Sequence, residues 1–444
     1  MDLMVASTQK LCGELGNGAR FNLPGDKSLS HRAALFSALA LGHSNIRNFL
    51  DSGVTRAMLR ALTALGVEWS LQGTTLKVQG QGLRGLCVPE EALNCGNSAT
   101  TIRLLAGALA ASGIPAVLDG SAGLRKRPME RIVDPLREMG VPIQPSEQGT
   151  APLVLSGRPP ERALLSSELT LAQASAQVKT CLLLAGLAAD GQTILHEPAP
   201  SRDHSERMLR AMGANVHQPD ALTVILEPLQ RPLTALDMDL PGDFSAAAFL
   251  MVAALITPGS EVCLNNVGLN PGRTGLLDTL LEMGADIRTE TLGEQNGEPL
   301  GNLIIKHSPL HAVNVSGDRV VQMIDEFPVF AVAAAYAKGT TQVRDAQELR
   351  YKESDRISAL AAQLDRLGVP VREHPDGFSI EGALQIPGGA SVDCAGDHRL
   401  AMSLVVAGLA TEQPVRVKNA EMINESFPEF TDVLQGMGGK VSWI

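Results

Sequence analysis

Three short clusters in the C-terminal half of the chain combine carboxylates with cations, as acid–base chemistry on an anionic substrate would require. Asp325 and Glu326 are adjacent, the 350–356 segment carries three cations and two carboxylates, and Asp397-His-Arg399 opens an apolar run. In a helix, two cations of the 350–356 segment would lie one turn apart on one face. A surface ladder of ion pairs would explain that segment about as well, but all three clusters fall at the same phase of a repeat. We therefore expect a catalytic site.

The N-terminal half places Ser, Asn and Lys residues where apolar helices should begin. Segment 23–32 opens the first such helix, 94–99 opens the second and 173–177 opens the third. Helix starts attract anions because they present unpaired N–H groups and the positive end of the helix dipole. Ordinary N-capping would explain any one of these Ser and Asn residues. Capping does not call for a lysine beside the serine of the first segment, or for the basic run at 125–127, so we predict a site for phosphates and carboxylates.

The elements that must position these residues form a sixfold repeat. Six amphipathic runs end in Leu-Gly or Met-Gly, and their glycines lie 70 to 84 residues apart, too far for a solenoid repeat of about 20 to 50 residues. A helix that is apolar on nearly every face must be buried on nearly every face. We therefore predict an α/β fold with two sets of three buried helices, each set enclosed by sheets and outer helices. The predicted buried helices begin near Ser30, Ser98, Ser175, Ser245, Glu326 and His398.

Length and composition favour a two-domain enzyme of the cytoplasm. The 444 residues exceed what one hydrophobic core usually serves, about 250 to 300 residues. The apolar runs fall short of the ~18 residues of a membrane span, and no signal peptide opens the chain, so we expect no membrane association. The six cysteines lack C-x-x-C spacing, which favours reduced thiols over disulfides or metal ligands. A net charge of -11 argues against a nucleic-acid partner.

Seven segments in series closely resemble the EPSP synthase (3-phosphoshikimate 1-carboxyvinyltransferase) family. They are Pro-Gly-Asp-Lys-Ser-Leu-Ser-His-Arg at 24–32, Gly-Asn-Ser-Ala-Thr-Thr-Ile-Arg at 96–103, Leu-Arg-Lys-Arg-Pro-Met at 124–129, Ser-Ala-Gln-Val-Lys-Thr at 175–180, Ser-Arg-Asp-His-Ser-Glu at 201–206, Tyr-Lys-Glu-Ser-Asp-Arg at 351–356 and Gly-Asp-His-Arg-Leu-Ala-Met-Ser at 396–403. The resemblance runs from about Gly18 to Gly438.

This resemblance implies the α/β enolpyruvyl transferase fold. Its two domains each contain three βαβαββ repeats, the active site lies in the cleft between the domains, and the N-terminal strand crosses to the C-terminal domain. In this chain, residues 1–22 and 242–444 would form one domain, which carries Asp325, Glu353 and Arg399. Residues 23–241 would form the other domain, which carries most of the shikimate 3-phosphate site.

The resemblance also implies the reaction. The enolpyruvyl group of phosphoenolpyruvate would move to the 5-hydroxyl of shikimate 3-phosphate through a tetrahedral intermediate, releasing phosphate, in aromatic amino acid biosynthesis and without a cofactor or metal. Asp325 would be the base at the hydroxyl, Glu353 the acid at the methylene carbon, and Lys27 would contact both substrates. The implied shikimate 3-phosphate site is Lys27, Ser28, Arg32, Ser175, Gln177, Arg202, Asp325 and Lys352. The implied phosphoenolpyruvate site is Lys27, Asn97, Ala99, Arg127, Gln177, Arg356 and Arg399, with His398 as a further candidate.

Two departures from the family pattern matter. Ala99 stands where many members have Gly, which resembles the glyphosate-tolerant subgroup, so we predict that glyphosate binds weakly. Glu425 stands where some members have Lys, so no cation is assigned there.

Two other functions stay open. A UDP-N-acetylglucosamine enolpyruvyl transferase would be expected to have Lys-Asn in place of Lys27-Ser28 and often a Cys in the 119–125 loop, and this chain has neither. A non-catalytic anion-binding protein would gain nothing from the paired carboxylates Asp325 and Glu353. We expect a monomer.

Overall fold

The computed structural model describes residues 1–16, 18–159 and 161–444. The chain folds into two compact units. Unit 1 comprises Met1–Pro24, Pro241–Gly293 and Pro299–Ile444, and unit 2 comprises Gly25–Leu240 and Glu294–Glu298. The predicted boundaries did not anticipate the short Glu294–Glu298 segment in unit 2.

That segment joins unit 2 through side-chain contacts made far along the sequence. His204 Nδ1 lies 2.8 Å from Glu298 Oε1, and Arg207 donates a hydrogen bond to the carbonyl of Gly297. Gln295 Nε2 donates to Asp239 Oδ2 over 3.1 Å. No local sequence pattern predicts these contacts, because the paired residues are more than fifty positions apart.

The strands and helices follow the chain in a repeating order. The first part contains β1 Leu3–Ala6, β2 Cys12–Leu15, α1 Lys27–Leu39, β3 Leu41–Arg47, α2 Gly53–Ala64, β4 Glu68–Gln72, β5 Thr75–Gln81, β6 Leu93–Asn94, α3 Ala99–Ser112, β7 Ala116–Asp119, α4 Glu130–Glu138, β8 Ile143–Gln144, β9 Leu153–Leu155, β10 Ser167–Thr170, α5 Ala176–Gly186, β11 Thr193–His196, α6 His204–Ala211, β12 Val216–His217, β13 Thr223–Leu226 and β14 Asp237–Asp239. The second part contains α7 Phe244–Ile256, β15 Glu261–Gly268, α8 Gly275–Glu282, β16 Asp286–Gln295, β17 Glu298–Lys306, β18 Leu310–His311, β19 Asn314–Val315, α9 Asp318–Gln322, α10 Phe327–Ala335, β20 Ala337–Val343, α11 Arg356–Arg366, β21 Val371–His374, β22 Gly377–Gly382, β23 Ser391–Asp393, α12 His398–Gly408, β24 Val415–Lys418, α13 Phe430–Gly436 and β25 Lys440–Trp443.

Within the described residues the strands form six sheets, one for each repeat. In the sheet ordered β10-β11-β13-β12, the first two strands are parallel and the other two pairings are antiparallel. With α5 and α6 between the strands, this is a βαβαββ unit. Strand β1 lies between β24 and β25, and β2 lies parallel to β15. The first two strands of the chain thus pair with strands from its C-terminal half.

The first helix of each repeat is buried along almost its whole length, as the apolar composition predicted. These helices are α1, α3 and α5 in unit 2, and α7, α10 and α12 in unit 1. Small residues allow close packing between them: a Cβ at Gly107 of α3 would lie 2.1 Å from the carbonyl oxygen of Cys181 in α5. No helix among residues 1–16, 18–159 and 161–444 is long and apolar enough to cross a membrane.

The second helix of each repeat ends at a left-handed glycine. The φ angles at these Leu-Gly and Met-Gly steps lie between 82° and 100°, a region that an L side chain rarely adopts. The six glycines are Gly66, Gly140, Gly213, Gly284, Gly368 and Gly438. The repeat signal in the sequence is therefore a set of helix C-caps.

Candidate active site

Arg32 connects the starts of two buried helices in unit 2. Its Nη1 donates to the carbonyl of Ser28 over 3.0 Å, and its Nη2 donates to the carbonyl of Ala176 over 3.3 Å and to Thr180 Oγ1 over 2.7 Å. Its Nε donates to Ser205 Oγ over 2.8 Å. Burial lowers the pKa of Arg32 to about 10, which leaves the side chain cationic at neutral pH. Four of its five N–H groups thus connect the start of α1 with α5 and with Ser205 of α6.

Arg103 makes the corresponding connection between α3 and α5. Its Nη1 donates to Gln177 Oε1 over 2.6 Å, and Gln177 Nε2 donates to Thr100 Oγ1 over 3.0 Å. Its Nη2 donates to the carbonyl of Pro128 over 3.1 Å. Gln177 and the segment after Arg127 are therefore held by one guanidinium. Sequence reasoning missed Arg103; the signal was a charge, inside a matched motif, on an otherwise apolar helix.

His31 completes the link between α1 and α3. Its Nδ1 donates to the carbonyl of Lys27 over 2.8 Å, and its Nε2 lies 3.4 Å from Ser98 Oγ. Burial lowers the pKa of His31 to about 4, so the ring is neutral at neutral pH. Because Nδ1 carries the hydrogen of the neutral ring, Nε2 accepts from Ser98 Oγ, which itself accepts from the backbone N of Thr101 over 3.1 Å. His31 thus has a structural place beside Lys27.

The remaining predicted residues of unit 2 lie at or near these helix starts. Asn97 Oδ1 accepts from Ser121 Oγ over 2.9 Å, and Ala99 is the first, buried residue of α3. Ser175 caps α5 by accepting from Val178 N. Half-buried Arg127 follows a 3₁₀ turn, and half-buried Arg202 precedes α6. The predicted residues of the N-terminal half are Lys27, Ser28, Arg32, Asn97, Ala99, Arg127, Ser175, Gln177 and Arg202, and unit 2 contains all of them.

Arg356 is the centre of a second cluster, in unit 1. Its Nε donates to Asp397 Oδ2 and its Nη2 to Glu353 Oε2, both over 2.8 Å. Its Nη1 is buried, has no hydrogen-bond acceptor in the described part of the chain, and lies 3.8 Å from Asp325 Oδ1. Burial favours the protonated form of Asp397, but the charge of Arg356, its hydrogen bond and nearby His398 together hold the pKa of Asp397 below its usual range. One guanidinium therefore serves several carboxylates and keeps a donor facing Asp325.

Asp325 is surrounded by the other predicted cations of unit 1. Lys352 Nζ lies 3.7 Å from Asp325 Oδ1, and Arg399 Nη1 donates to the carbonyl of Asp325 over 3.0 Å. Burial lowers the pKa of Lys352, although nearby Asp325 opposes that effect. Unit 1 thus brings Asp325, Lys352, Glu353, Arg356 and Arg399 together.

A buried polar network lies behind Asp325 and joins the starts of α7, α10 and α12. Ser245 Oγ donates to Glu326 Oε1, and Arg273 Nη2 donates to Ser245 Oγ over 2.7 Å and to Asp243 Oδ1 over 3.1 Å. Arg399 Nη1 lies 3.8 Å from Glu326 Oε1. The network therefore fixes the two groups beside the Asp325 carbonyl, namely the next residue, Glu326, and the guanidinium of Arg399. The sequence singled out Glu326 but gave no reason to single out Arg273.

His398 and Glu425 face each other in unit 1. His398 is buried, and its Nδ1 lies 3.7 Å from Glu425 Oε2. The carboxylate of Glu425 thus lies beside His398. Some members of the family are expected to have a lysine at this position.

Comparisons with known proteins agree with these features. The model of the family described as EPSP synthase (3-phosphoshikimate 1-carboxyvinyltransferase) matches residues 17–434. The chain is 46% identical, over 417 residues, to the 3-phosphoshikimate 1-carboxyvinyltransferase of Citrifermentans bemidjiense, which covers 94% of this chain and 96% of that protein. Its structure is similar to that of EPSP synthase from Acinetobacter baumannii, with a TM-score of 0.87, 39% identity, and coverage of 100% of this chain and 99% of the other. The enolpyruvyl transferase NikO from Streptomyces tendae shares the fold, with a TM-score of 0.79 at 20% identity over 99% of this chain and 98% of its own. The chain therefore belongs to the EPSP synthase family.

Proposed function

We propose that the residue clusters described above in unit 1 and unit 2 carry out the reaction of this family. The protein is a transferase that moves the enolpyruvyl group of phosphoenolpyruvate to the 5-hydroxyl of shikimate 3-phosphate and releases phosphate, in the shikimate pathway. The observation that carries our assignment of roles is Arg356. Its Nη2 donates a hydrogen bond to Glu353. Its buried Nη1, which has no acceptor in the described part of the chain, faces the carboxylate of Asp325.

We assign shikimate 3-phosphate binding chiefly to unit 2, because its helix starts keep more of their positive potential. In unit 1, all three buried helices begin at a carboxylate, namely Asp243, Glu326 and Asp397. In unit 2, only α1 begins at a carboxylate, Asp26, whereas α3 and α5 are capped by the neutral residues Ser98 and Ser175. A neutral cap leaves the dipole available to an anion. The proposed site is Lys27, Ser28, Arg32, Ser175, Gln177 and Arg202, with Asp325 and Lys352 from unit 1.

Three arginines hold phosphoenolpyruvate in this proposal. The planar guanidinium groups of Arg127, Arg356 and Arg399 match carboxylate and phosphate oxygens in pairs. The Nη1 of Arg356 supports this role, since a buried donor without an acceptor costs about 1 to 3 kcal/mol unless a ligand pairs with it. Lys27, Asn97, Ala99 and Gln177 complete the proposed site, and His398 is a further candidate.

Asp325 and Glu353 divide the proton transfers. Asp325 takes the proton of the 5-hydroxyl as its oxygen bonds to C2 of phosphoenolpyruvate, and Glu353 donates a proton to C3, giving the tetrahedral intermediate. In the elimination, C3 returns a proton to Glu353 while the bond from C2 to the phosphate oxygen breaks, and the proton that Asp325 took from the 5-hydroxyl is released with the departing phosphate. Each acid or base typically contributes about 10² to 10⁴ in rate. Arg356 divides its hydrogen bonds between Glu353 and Asp397, so its charge is not devoted to Glu353 alone.

We further propose weak glyphosate binding, a monomeric state and a cytoplasmic location. Ala99 lies in the first turn of α3, which the side chain of Ser98 caps, so its methyl group is held in place and would narrow the phosphoenolpyruvate pocket. The six cysteines are free thiols, which suits a reducing compartment.

The test is phosphate release by the purified protein. We expect release with phosphoenolpyruvate and shikimate 3-phosphate, and none when UDP-N-acetylglucosamine replaces the second substrate. Release with UDP-N-acetylglucosamine alone would favour the related cell-wall enzyme. Ligand binding without release from either pair would favour an anion-binding protein and refute the roles of Asp325 and Glu353.

A further inference from the structure

A buried cluster of charges in unit 2 lies outside the residues assigned above. Lys179 Nζ lies 2.7 Å from Glu197 Oε2 and 2.7 Å from Glu206 Oε1. All three side chains are at most 2% exposed. Burial raises the pKa of Glu206, and nearby Lys179 opposes that effect. We call Lys179, Glu197 and Glu206 the lysine cluster.

Stability alone does not account for the lysine cluster. Desolvating a charge costs several kcal/mol, and well-packed apolar residues of similar volume are often as stable as a buried ion pair or more so. Lys179 pairs with both carboxylates, and such a set of buried ion pairs favours one fixed geometry, because every alternative arrangement leaves a charge without its counter-charge. The residues that this fixed geometry holds in place therefore indicate what the lysine cluster does.

The lysine cluster is bonded directly to the segment that carries Arg202. Lys179 Nζ donates to the carbonyl of Ser201 over 3.3 Å, and Ser201 Oγ donates to Glu197 Oε1. Both the backbone and the side chain of Ser201 are thus held by hydrogen bonds, so the backbone from which the adjacent Arg202 side chain extends is fixed in position.

The cluster also reaches Arg32. Glu206 follows Ser205, whose hydroxyl lies 2.6 Å from Thr180 Oγ1 and accepts from Arg32 Nε over 2.8 Å. Thr180 follows Lys179 on α5. Both side chains that accept a hydrogen bond from Arg32, those of Ser205 and Thr180, are therefore adjacent in sequence to a member of the lysine cluster.

We propose that Lys179, Glu197 and Glu206 are positioning residues, which hold Arg202 and Arg32 in the orientation that binds the phosphate group of shikimate 3-phosphate. This inference rests on the proposed function, and it adds residues that do not touch the substrate but set the affinity for one of the two substrates.

The main test is the double variant Lys179→Met/Glu206→Gln, which removes one charge of each sign. We expect the KM for shikimate 3-phosphate to rise by about tenfold to a hundredfold, the range that a small misplacement of a binding group produces. The KM for phosphoenolpyruvate should change much less. Glu206→Gln alone keeps the side-chain shape and should shift the same KM in the same direction, so the inference stays testable if the double variant folds poorly.

The matched control is Arg158→Met. Arg158 is a cation of unit 2 that is half-buried, whereas Lys179 is fully buried, and it donates to the carbonyls of Ala110 and Ala111 at the end of α3. A general loss of stability should lower the amount of folded enzyme in both proteins without changing one KM selectively. If the cluster variants resemble Arg158→Met, or raise both KM values equally, the cluster is structural and the inference is wrong.

A double-mutant cycle tests the route through Arg202. If the cluster acts through this residue, adding Arg202→Ala to Lys179→Met/Glu206→Gln should change the KM for shikimate 3-phosphate little beyond the effect of Arg202→Ala alone. Fully additive effects would refute the part of the inference that concerns Arg202. An inactive wild-type protein would instead refute the proposed function, so the two failures can be told apart.

Discussion

Acidification should destabilise unit 2 through His31. The buried ring donates to the carbonyl of Lys27 and faces the hydroxyl of Ser98. A second proton would place a charge in the core close to the cations of Lys27 and Arg32, and burial already lowers the pKa of His31 to about 4. In the unfolded chain the pKa of His is about 6.5. The unfolded state therefore binds the proton first as the pH falls.

The magnitude follows from these two pKa values. The contribution of His31 to the free energy of unfolding is complete above about pH 6.5 and is lost as the pH falls toward 4. Between pH 7.5 and pH 5, linkage gives a loss of about 2 kcal/mol. Below pH 4 the loss would approach about 3 kcal/mol, since one pKa unit corresponds to about 1.4 kcal/mol.

Urea unfolding of a Trp443→Phe variant would measure this loss. Trp69, whose Nε1 donates to the carbonyl of Leu59 over 3.1 Å, would then report on unit 2 alone. The comparison protein also carries His31→Asn, which retains an N–H donor but cannot titrate. Between pH 7.5 and 5, we expect the free energy of unfolding of this protein to fall by about 2 kcal/mol less than that of the protein that retains His31. An identical pH dependence in both proteins would refute a neutral, buried His31.

Three further predictions concern the site and the core. Glu353→Gln should leave both KM values nearly unchanged and lower kcat at least about a hundredfold; near-normal turnover in the phosphate-release assay would contradict its role as the acid. Ala99→Gly should tighten glyphosate inhibition with little change in the KM for phosphoenolpyruvate, and an unchanged inhibition constant would count against the pocket argument. Gly107→Ala should destabilise unit 2 by about 1 to 3 kcal/mol, because its Cβ would lie 2.1 Å from the carbonyl of Cys181. Gly53→Ala, where a Cβ meets no atom within 4 Å, is the matched control, and equal melting temperatures of both variants would refute the close helix contact.

The sequence was sufficient to predict the repeat and the starts of the buried helices. The structure begins these helices at Lys27, Ala99, Ala176, Phe244, Phe327 and His398, each within three residues of the prediction. These features are local: an apolar helix and its capping residues lie within about twenty positions of one another, so composition and periodicity record them directly. The motifs at the helix starts are local in the same sense, which is why the candidate site residues could be named from sequence.

The tertiary structure alone decided which polar side chains meet. Arg103 binds Gln177 from 74 positions away, Ser245 binds Glu326 from 81, and Arg32 binds Ser205 from 173. No local pattern specifies such partners, because they depend on how the buried helices pack and on the requirement that buried polar groups be paired. The sequence determined the repeated elements and the chemistry at their ends; helix packing determined which guanidinium faces which carboxylate, since only packing brings those distant ends together.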